Sequence, residues 1–336
     1  MLAAVANNGA ILLGNNFAVD SYYKRLVRVV THAHEDHTKY LSSSIRDSIY
    51  IVATPVTHEM LKLLGYSIPE SKALKLDYYK GVEIAGERVT LLPSRHIAGS
   101  AQVLVEARDG TAGYTGDFKM PGTPPLKDLD VLVLDATYGS PHLDRKGTEF
   151  DAISALLRLI EEKGRDEPIW IYGYNGKLQE IMVELRIRGV KNRFLADPVT
   201  LKMAQIASGF YGMELGDVGI YTNDEVGPGV VIFMHVSKSS YATRSRGVHV
   251  ILTGLERRGV MVEERKNLYK LAFSDHASFR EIVEYVNEAK PKEVIVDGTR
   301  GFAAEFAAKY LSKVLGLRAR VEPPNLRQGG KAVEQP

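Results

Sequence analysis

The spacing of apolar and polar positions changes character near residue 145. Before it, short β-branched runs bounded by Gly, Pro, Asn or Asp predict strands at Leu26–Thr31, Ile49–Thr54, Arg88–Leu92, Gln102–Ala107 and Val131–Asp135. Within the first, Val27–Val30 has the make-up of a buried strand. From Thr148 onward, Phe150, Ile153, Leu156, Leu157 and Ile160 recur at helical spacing until Gly164. A strand at Pro168–Tyr172, a turn at Tyr174-Asn175-Gly176 and a helix from Lys177 to Arg188, closed by Gly189, follow. That strand–turn–helix succession predicts α/β architecture. The glycine-rich stretch Gly209–Gly229 has little period and predicts loops or short elements. Order returns where Ser278 is placed to cap a helix running to Ala289. A strand at Glu293–Val296 and a helix at Phe302–Leu315, stopped by Gly316, come next, and the tail from Pro323 reads as loose. No internal repeat or low-complexity segment occurs.

Composition narrows the class. A chain of 336 residues, 45% hydrophobic and 25% charged, suits one large or two modest water-soluble domains. No apolar run reaches the ~18–20 residues of a membrane helix, and the start lacks the basic segment of a signal peptide. These features, with 0 Cys, fit a reducing cytoplasm without membrane attachment. Absence of Cys also excludes disulfide frameworks and thiolate chemistry, so any metal must be held by His and carboxylates. The net charge of +2 leaves polyanion binding to local patches. Candidates are Arg186, Arg188, Lys191 and Arg193, then Lys238, Arg244, Arg246, Arg257 and Arg258.

The strongest chemical signal lies just behind the Val27–Val30 strand. Of the 9 histidines, His32, His34 and His37 stand together with Asp36. In extended chain, residues two apart point the same way, so His32 and His34 can face one point. The turn after them swings Asp36 and His37 toward a neighbouring one. Imidazole with carboxylate suits Zn²⁺, Mn²⁺ or Fe. His96 in "PSRHIAGSAQ" and Asp117 in "GYTGDFKM" both follow strands and extend the candidate ligand set. One carboxylate can bridge two cations about 3.5–4 Å apart.

The set His32-x-His34-x-Asp36-His37, His96 and Asp117 resembles the metallo-β-lactamase superfamily. "VLDATYGSP", with Asp135, and "FSDHASF", with His276, resemble its β-CASP branch, as does "YGYNGKLQEI" at Gly176, Lys177, Gln179 and Glu180. Asp20 falls where the family has its first aspartate. The resemblance runs from about Asn15 to Leu315, and the layout is most similar to the ligase-associated DNA exonuclease and Artemis-type nuclease group. It implies a four-layer αββα sandwich formed by residues 1–144 and 267–322, with a β-CASP cap inserted at 145–266 and residues 323–336 as a tail. One sequence departure stands out: "EVIVDGTRG" puts Asp297 where β-CASP ribonucleases have a histidine.

The same resemblance implies two divalent metal ions. Zn²⁺ is the expected ion, with Mn²⁺ or Mg²⁺ as alternatives at the second position. His32, His34 and His96 would hold one, Asp36 and His37 the other, with Asp117 shared and Asp297 an added ligand of the second. A water between two cations loses its proton near neutral pH and becomes a nucleophile. His276, oriented by Asp135, is the candidate acid for the leaving oxygen, since a carboxylate neighbour favours the protonated imidazole. Asp36 counts as catalytic through the metal, and Asp20 would fix a ligand imidazole from behind. Ser100, Gly176 and Lys177 are candidate phosphate contacts, and Tyr and Phe side chains of the cap could stack bases. The expected function is a metal-dependent nuclease, a DNA 5′ exonuclease of repair or processing type, with a ligase or helicase as partner by resemblance. The alternatives are a β-CASP ribonuclease of RNA 3′-end processing, a small-molecule hydrolase and a non-catalytic nucleic-acid-binding subunit. Asp297 argues against the ribonuclease, the insertion against the small-molecule enzyme, and the intact ligand set against the non-catalytic subunit.

Overall fold

A computed structural model describes residues 2–243 and 245–324. Arg244 and the tail from residue 325 lie outside the described residues. The chain divides into two compact units, Met1–Leu143 with His276–Pro336, and Asp144–Asp275.

The first unit opens with a sheet of very short strands in sequential order: β1 (Ala3–Val5), β2 (Ile11–Leu13), β3 (Phe17–Val19), β4 (Val27–Val29), β5 (Tyr50–Ala53) and β6 (Ala73–Lys75). Helices α1 (Leu41–Asp47) and α2 (Pro55–Leu63) lie between the later strands. β4 explains how a sheet two layers deep handles a charge. Val27 and Val29 face the central core, whereas Arg28, at the intervening position, points to the α1 side. There it donates to the carbonyl of His37 at 2.9 Å and to Ser44 Oγ at 3.3 Å. Burial lowers its pKa to about 10, which leaves it a cation at neutral pH.

A second sheet begins with β7 (Gly81–Ile84), β8 (Glu87–Pro93), β9 (Ala101–Ala107), β10 (Gly110–Tyr114) and β11 (Val131–Leu134). The chain then leaves for the second unit. That unit alternates α3 (Glu149–Lys163), β12 (Ile169–Gly173), α4 (Lys177–Ile187), β13 (Arg193–Ala196), α5 (Pro198–Tyr211), β14 (Val218–Ile220), β15 (Val230–His235), β16 (Val248–Thr253), β17 (Met261–Arg265) and β18 (Leu268–Ala272). Its sheet order is β14-β13-β15-β12-β16-β18-β17, parallel except for the β17 edge. Ile169 and Ile171 face a core shared with α3, α4 and α5, while Trp170 and Tyr172 face the opposite side. A parallel strand buried on both faces reads as an unbroken apolar run, which is the character of Pro168–Tyr172. Residues 267–272, placed with the first domain on sequence grounds, contain the whole of β18, which completes this sheet by pairing with β16 and β17. Helix α5 runs to Tyr211, into the start of the glycine-rich stretch, and the rest of Gly209–Gly229 holds only the short β14 and a 3-10 turn at Asn223–Glu225, as the pattern predicts.

On return to the first unit, α6 (Phe279–Ala289), β19 (Glu293–Asp297), α7 (Ala304–Lys313) and β20 (Arg318–Glu322) complete the second sheet in the order β20-β19-β11-β10-β9-β8-β7. Ile11, Leu13, Phe17, Val29, Val89, Val103, Val105 and Ile295 form one core between the two sheets. On the outer face of the second sheet, Leu132, Leu134, Val294 and Val296 pack with Ile282 and Val286 of α6 and Ala304, Ala308 and Leu311 of α7. The result is an αββα sandwich, with α1 and α2 on the other outer face.

Ser278 caps α6 as its sequence predicts. Its Oγ accepts from the Glu281 amide, and Glu281 Oε2 accepts from the Ser278 amide at 2.7 Å. Ser278→Ala is expected to cost about 1 kcal/mol, read as a lower denaturation midpoint of the first unit.

Candidate metal centre

The site grows from the chain that leaves β4. Asp20, at φ 62°, occupies the left-handed region, which Asp tolerates better than most residues. Its Oδ1 accepts from the Thr31 amide at 2.8 Å and its Oδ2 from Thr31 Oγ1 at 2.7 Å. The spent Thr31 hydroxyl proton leaves that oxygen as acceptor for His32 Nδ1–H at 3.0 Å. His32 Nε2 is thereby left as a bare lone pair facing inward. Asp20 Oδ2 also stands 2.7 Å from His37 Nδ1, which makes that nitrogen a donor and turns Nε2 of His37 inward too. Arg300 Nη2 lies 3.2 Å from the same Nδ1. Because Nδ1 already donates to Asp20, the guanidinium is a neighbouring charge there and not a second hydrogen-bond partner.

The other ligand candidates come from two tight turns. After β8, His96 sits in a loop whose closing Ser100 Oγ accepts from the Ile97 amide at 3.1 Å. Ser100 is buried, so its hydroxyl braces the His96 loop. After β10, Gly116 has φ 57°, and a Cβ on it would meet the Ala101 carbonyl oxygen at 2.8 Å. Only glycine fits there, and the turn delivers Asp117 to the centre.

The convergence is tight. His34 Nδ1 is 3.1 Å from His32 Nε2 and 3.0 Å from His96 Nε2. Asp117 Oδ2 is 3.7 Å from both His32 Nε2 and His96 Nε2, and 2.9 Å from His37 Nε2. One ligand atom from each of His32, His34, His96 and Asp117 lies within 4.8 Å of the others, and Asp36, His37 and Asp117 form a second such group. The lone pairs of His32, His34 and His96 aimed at one another repel unless a cation lies between them. Burial and Arg300 lower the pKa of His37, but Asp117, Asp36 and Asp20 outweigh them and push it up to about 10, so His37 donates Nε2–H to Asp117. Asp117 Oδ1 is buried with no hydrogen-bond partner, a further acceptor without a donor. This donor set fits a divalent cation held by His32, His34, His96 and Asp117.

Electrostatics point the same way. Burial, with the neighbouring imidazoles adding to it, holds His32 well below the usual histidine range, so it is neutral and able to coordinate. Burial acts to raise the pKa of Asp117, but His37 and His276 outweigh it and keep the carboxylate ionised. Asp36 is likewise held low by His37 and Arg300 against its own burial. His276 brings Nε2 to 3.8 Å from Asp117 Oδ2 while its Nδ1 stands 3.2 Å from Asp135 Oδ2. Asp135 is itself fixed by the Thr137 amide at 3.0 Å and Thr137 Oγ1 at 2.7 Å. His276 retains 15% side-chain exposure against 2% for Asp135, so it is the member of this pair open to a reactant.

Some expected participants have partners of their own. Asp297 belongs to none of the four candidate ligand groups found among the described residues, two of which include His276. Its Oδ1 accepts from the Thr299 amide at 2.8 Å, and its Oδ2 faces Arg300 Nε at 3.4 Å. Burial raises its pKa, with Arg300 opposing. Gly176 and Lys177 lie in the second unit, where Gln179 Oε1 accepts from the Gly176 amide and Lys177 Nζ pairs with Asp275 at 3.4 Å. Several of the basic candidates are held by local partners. Arg186 donates to the carbonyls of Leu215, Val190, Asn192 and Asp217. Arg188 pairs with Glu184, Arg193 with Asp217 and Glu225, Arg246 with Glu167, and Arg258 with Glu256 and Glu264.

Arg300 was not among the residues singled out from sequence. It is 7% exposed, and its Nη1 pairs with Asp36 Oδ2. The only local signal was an arginine three residues after a strand-end aspartate, in "DGTRG".

An αββα sandwich with a histidine–aspartate cluster at its strand ends defines a class of metal-binding scaffold. No protein-family model matches this chain. It is 36% identical over 135 residues to an uncharacterised protein in the lig 3′ region of Acidianus ambivalens, covering 39% of this chain and 95% of that one. It is 28% identical over 321 residues to the 5′ exonuclease Apollo of Gallus gallus, covering 91% of this chain and 66% of Apollo. It is 24% identical over 342 residues to the RNase aCSPSF2 of Saccharolobus solfataricus, covering 80% and 67%. The chain thus spans about two thirds of the length of these two named relatives. It belongs to the metallo-β-lactamase superfamily, in the β-CASP branch. Among the described residues no helix is long and apolar enough to cross a membrane.

Proposed function

We propose that this protein is a metal-dependent phosphodiesterase that hydrolyses nucleic acid, with DNA favoured and attack from a 5′ end. The observation carrying this reading is the convergence of His32, His34, His96 and Asp117 beside the His276–Asp135 pair. A divalent cation, Zn²⁺ by the nitrogen-rich donor set, supplies Lewis-acid charge for phosphate oxygens and acidifies water when bound. Asp20 and Thr31 fix the ring orientations of His32 and His37, so the ligand atoms are aimed before any ion arrives. His276, oriented through Nδ1 by Asp135, holds a proton at Nε2 for the departing oxygen. The second unit is the β-CASP module of the same reading.

Similarity to the 5′ exonuclease Apollo supports attack from a 5′ end, and the Asp297 departure favours DNA. Similarity to an archaeal RNase supports RNA as the second reading. Labelled single-stranded DNA and RNA, each blocked at one end or the other, should be incubated with Zn²⁺ or Mn²⁺. Loss of label from DNA with a free 5′ end is the expected result. Cleavage of RNA alone would transfer the function to RNA processing, and cleavage of neither by the metal-loaded protein would end the nuclease reading. Asp20→Ala removes three contacts behind the ligands, and metal affinity is expected to fall ~10–100-fold in a chelator competition.

A further inference from the structure

The Asp36, His37 and Asp117 group has the composition of a second cation position, yet a cation is already built into the protein beside it. Arg300 Nη1 pairs with Asp36 Oδ2, the oxygen that faces His37 Nε2 at 3.4 Å. Arg300 Nη2 approaches His37 at 3.2 Å, and Nε faces Asp297 Oδ2 at 3.4 Å. One guanidinium therefore stands against Asp36, His37 and Asp297 at once. The contacts with Asp36 and His37 join residues 264 and 263 positions apart in sequence, whereas Asp297, the last residue of β19, lies three before Arg300.

Two further features bear on this arrangement. Asp297 is wholly buried, and besides Thr299 the cationic group facing it is Arg300. A buried carboxylate requires such a countercharge, and a planar fork serves two carboxylates better than an ammonium would. A divalent ion drawn into this group would sit close to a guanidinium that cannot deprotonate, a like-charge contact in a buried setting.

We propose that Arg300 takes the place of the second metal ion, so that the protein works with one divalent cation, held by His32, His34, His96 and Asp117, and one fixed guanidinium. The inference rests on the metal-centre reading above. On this account Asp36 is the partner of Arg300 and not a metal ligand, and Asp297 is its anchor. The guanidinium supplies the positive charge that a second ion would otherwise place beside a phosphate, and it does so without dissociating.

Metal stoichiometry tests this without recourse to activity. The full chain is saturated with Zn²⁺ or with Mn²⁺, dialysed free of excess, and measured by native mass spectrometry and elemental analysis. One ion per chain is expected for the wild type and for Asp36→Asn, and none for His32→Ala. Arg300→Ala is expected to bind two. Arg300→Gln, which keeps the volume and removes the charge, gives the same comparison should the alanine variant fail to fold. Two ions on the wild type, or one on both uncharged Arg300 variants, would overturn the stand-in role and leave the metal centre intact. No ion on the wild type would overturn the metal centre, and the inference with it.

Discussion

Asp117→Ala is expected to abolish metal binding and cleavage together. Asp117 Oδ2 lies within 3.8 Å of His32, His37, His96 and His276, so a single carboxylate oxygen ties the cluster together. Removing it leaves imidazoles facing one another with no anion to balance a cation. Metal-ion stabilisation of a phosphoryl transition state is worth several kcal/mol. At about 1.4 kcal/mol per decade, its loss corresponds to a rate decrease on the order of 10³-fold or more. Elemental analysis and the end-blocked cleavage assay, run on one preparation, check both halves. An Asp117→Ala protein that keeps its metal and its rate would remove Asp117 from the centre.

His276→Ala should separate chemistry from metal binding. His276 is not needed to complete the His32, His34, His96 and Asp117 group, so metal content should be unchanged. Loss of a positioned proton donor typically costs ~10²–10⁴-fold in rate. Asp135→Asn keeps the Thr137 contacts through Oδ1 but sets an NH2 donor against His276 Nδ1 in place of the accepting Oδ2, so the rate should fall here too with metal content unchanged. A substrate whose leaving group needs no proton should recover most of the His276→Ala defect. Equal defects on good and poor leaving groups would mean that His276 acts by holding the site together.

How much of this was legible in the chain depends on the range of the interaction concerned. His32, His34, Asp36 and His37 announce themselves because they are crowded behind one buried strand, and β4 runs at Val27–Val29 within the predicted range. His96 lies 62 positions beyond His34 and Asp117 80 beyond His37, and only their order within a known motif set identified them. The geometry then comes from Gly116 and Ser100, whose roles depend on what their turns touch. Arg300 carried no such mark. Its partners are fixed by β19 running beside β11 and by the loop that leaves β4, which are tertiary facts. The basic residues of the second unit show the converse. Arg193 and Arg258 look like a polyanion patch in sequence, but Asp217, Glu225, Glu256 and Glu264 fold onto them.

The elements follow the same logic. The helix capped by Ser278 was readable because cap, period and stop are all local. The α5 helix starts from Asp197 as cap and Pro198 in its first turn, and it continues past Gly209 to Tyr211, into the stretch where glycines predict loops. Packing of Leu201 and Ala204 against the second unit's core overrides that propensity. The opening strands are three residues each, too short for alternation to appear, and exist because their pairing partners are adjacent.

The account rests on a cation among His32, His34, His96 and Asp117, and anomalous diffraction from crystals grown with Zn²⁺ addresses that directly. The expected result is a single strong peak at the Zn edge, within coordination distance of those four side chains, with Arg300 still on Asp36. No peak among them at saturating Zn²⁺, with the four side chains turned away from one another, would contradict it.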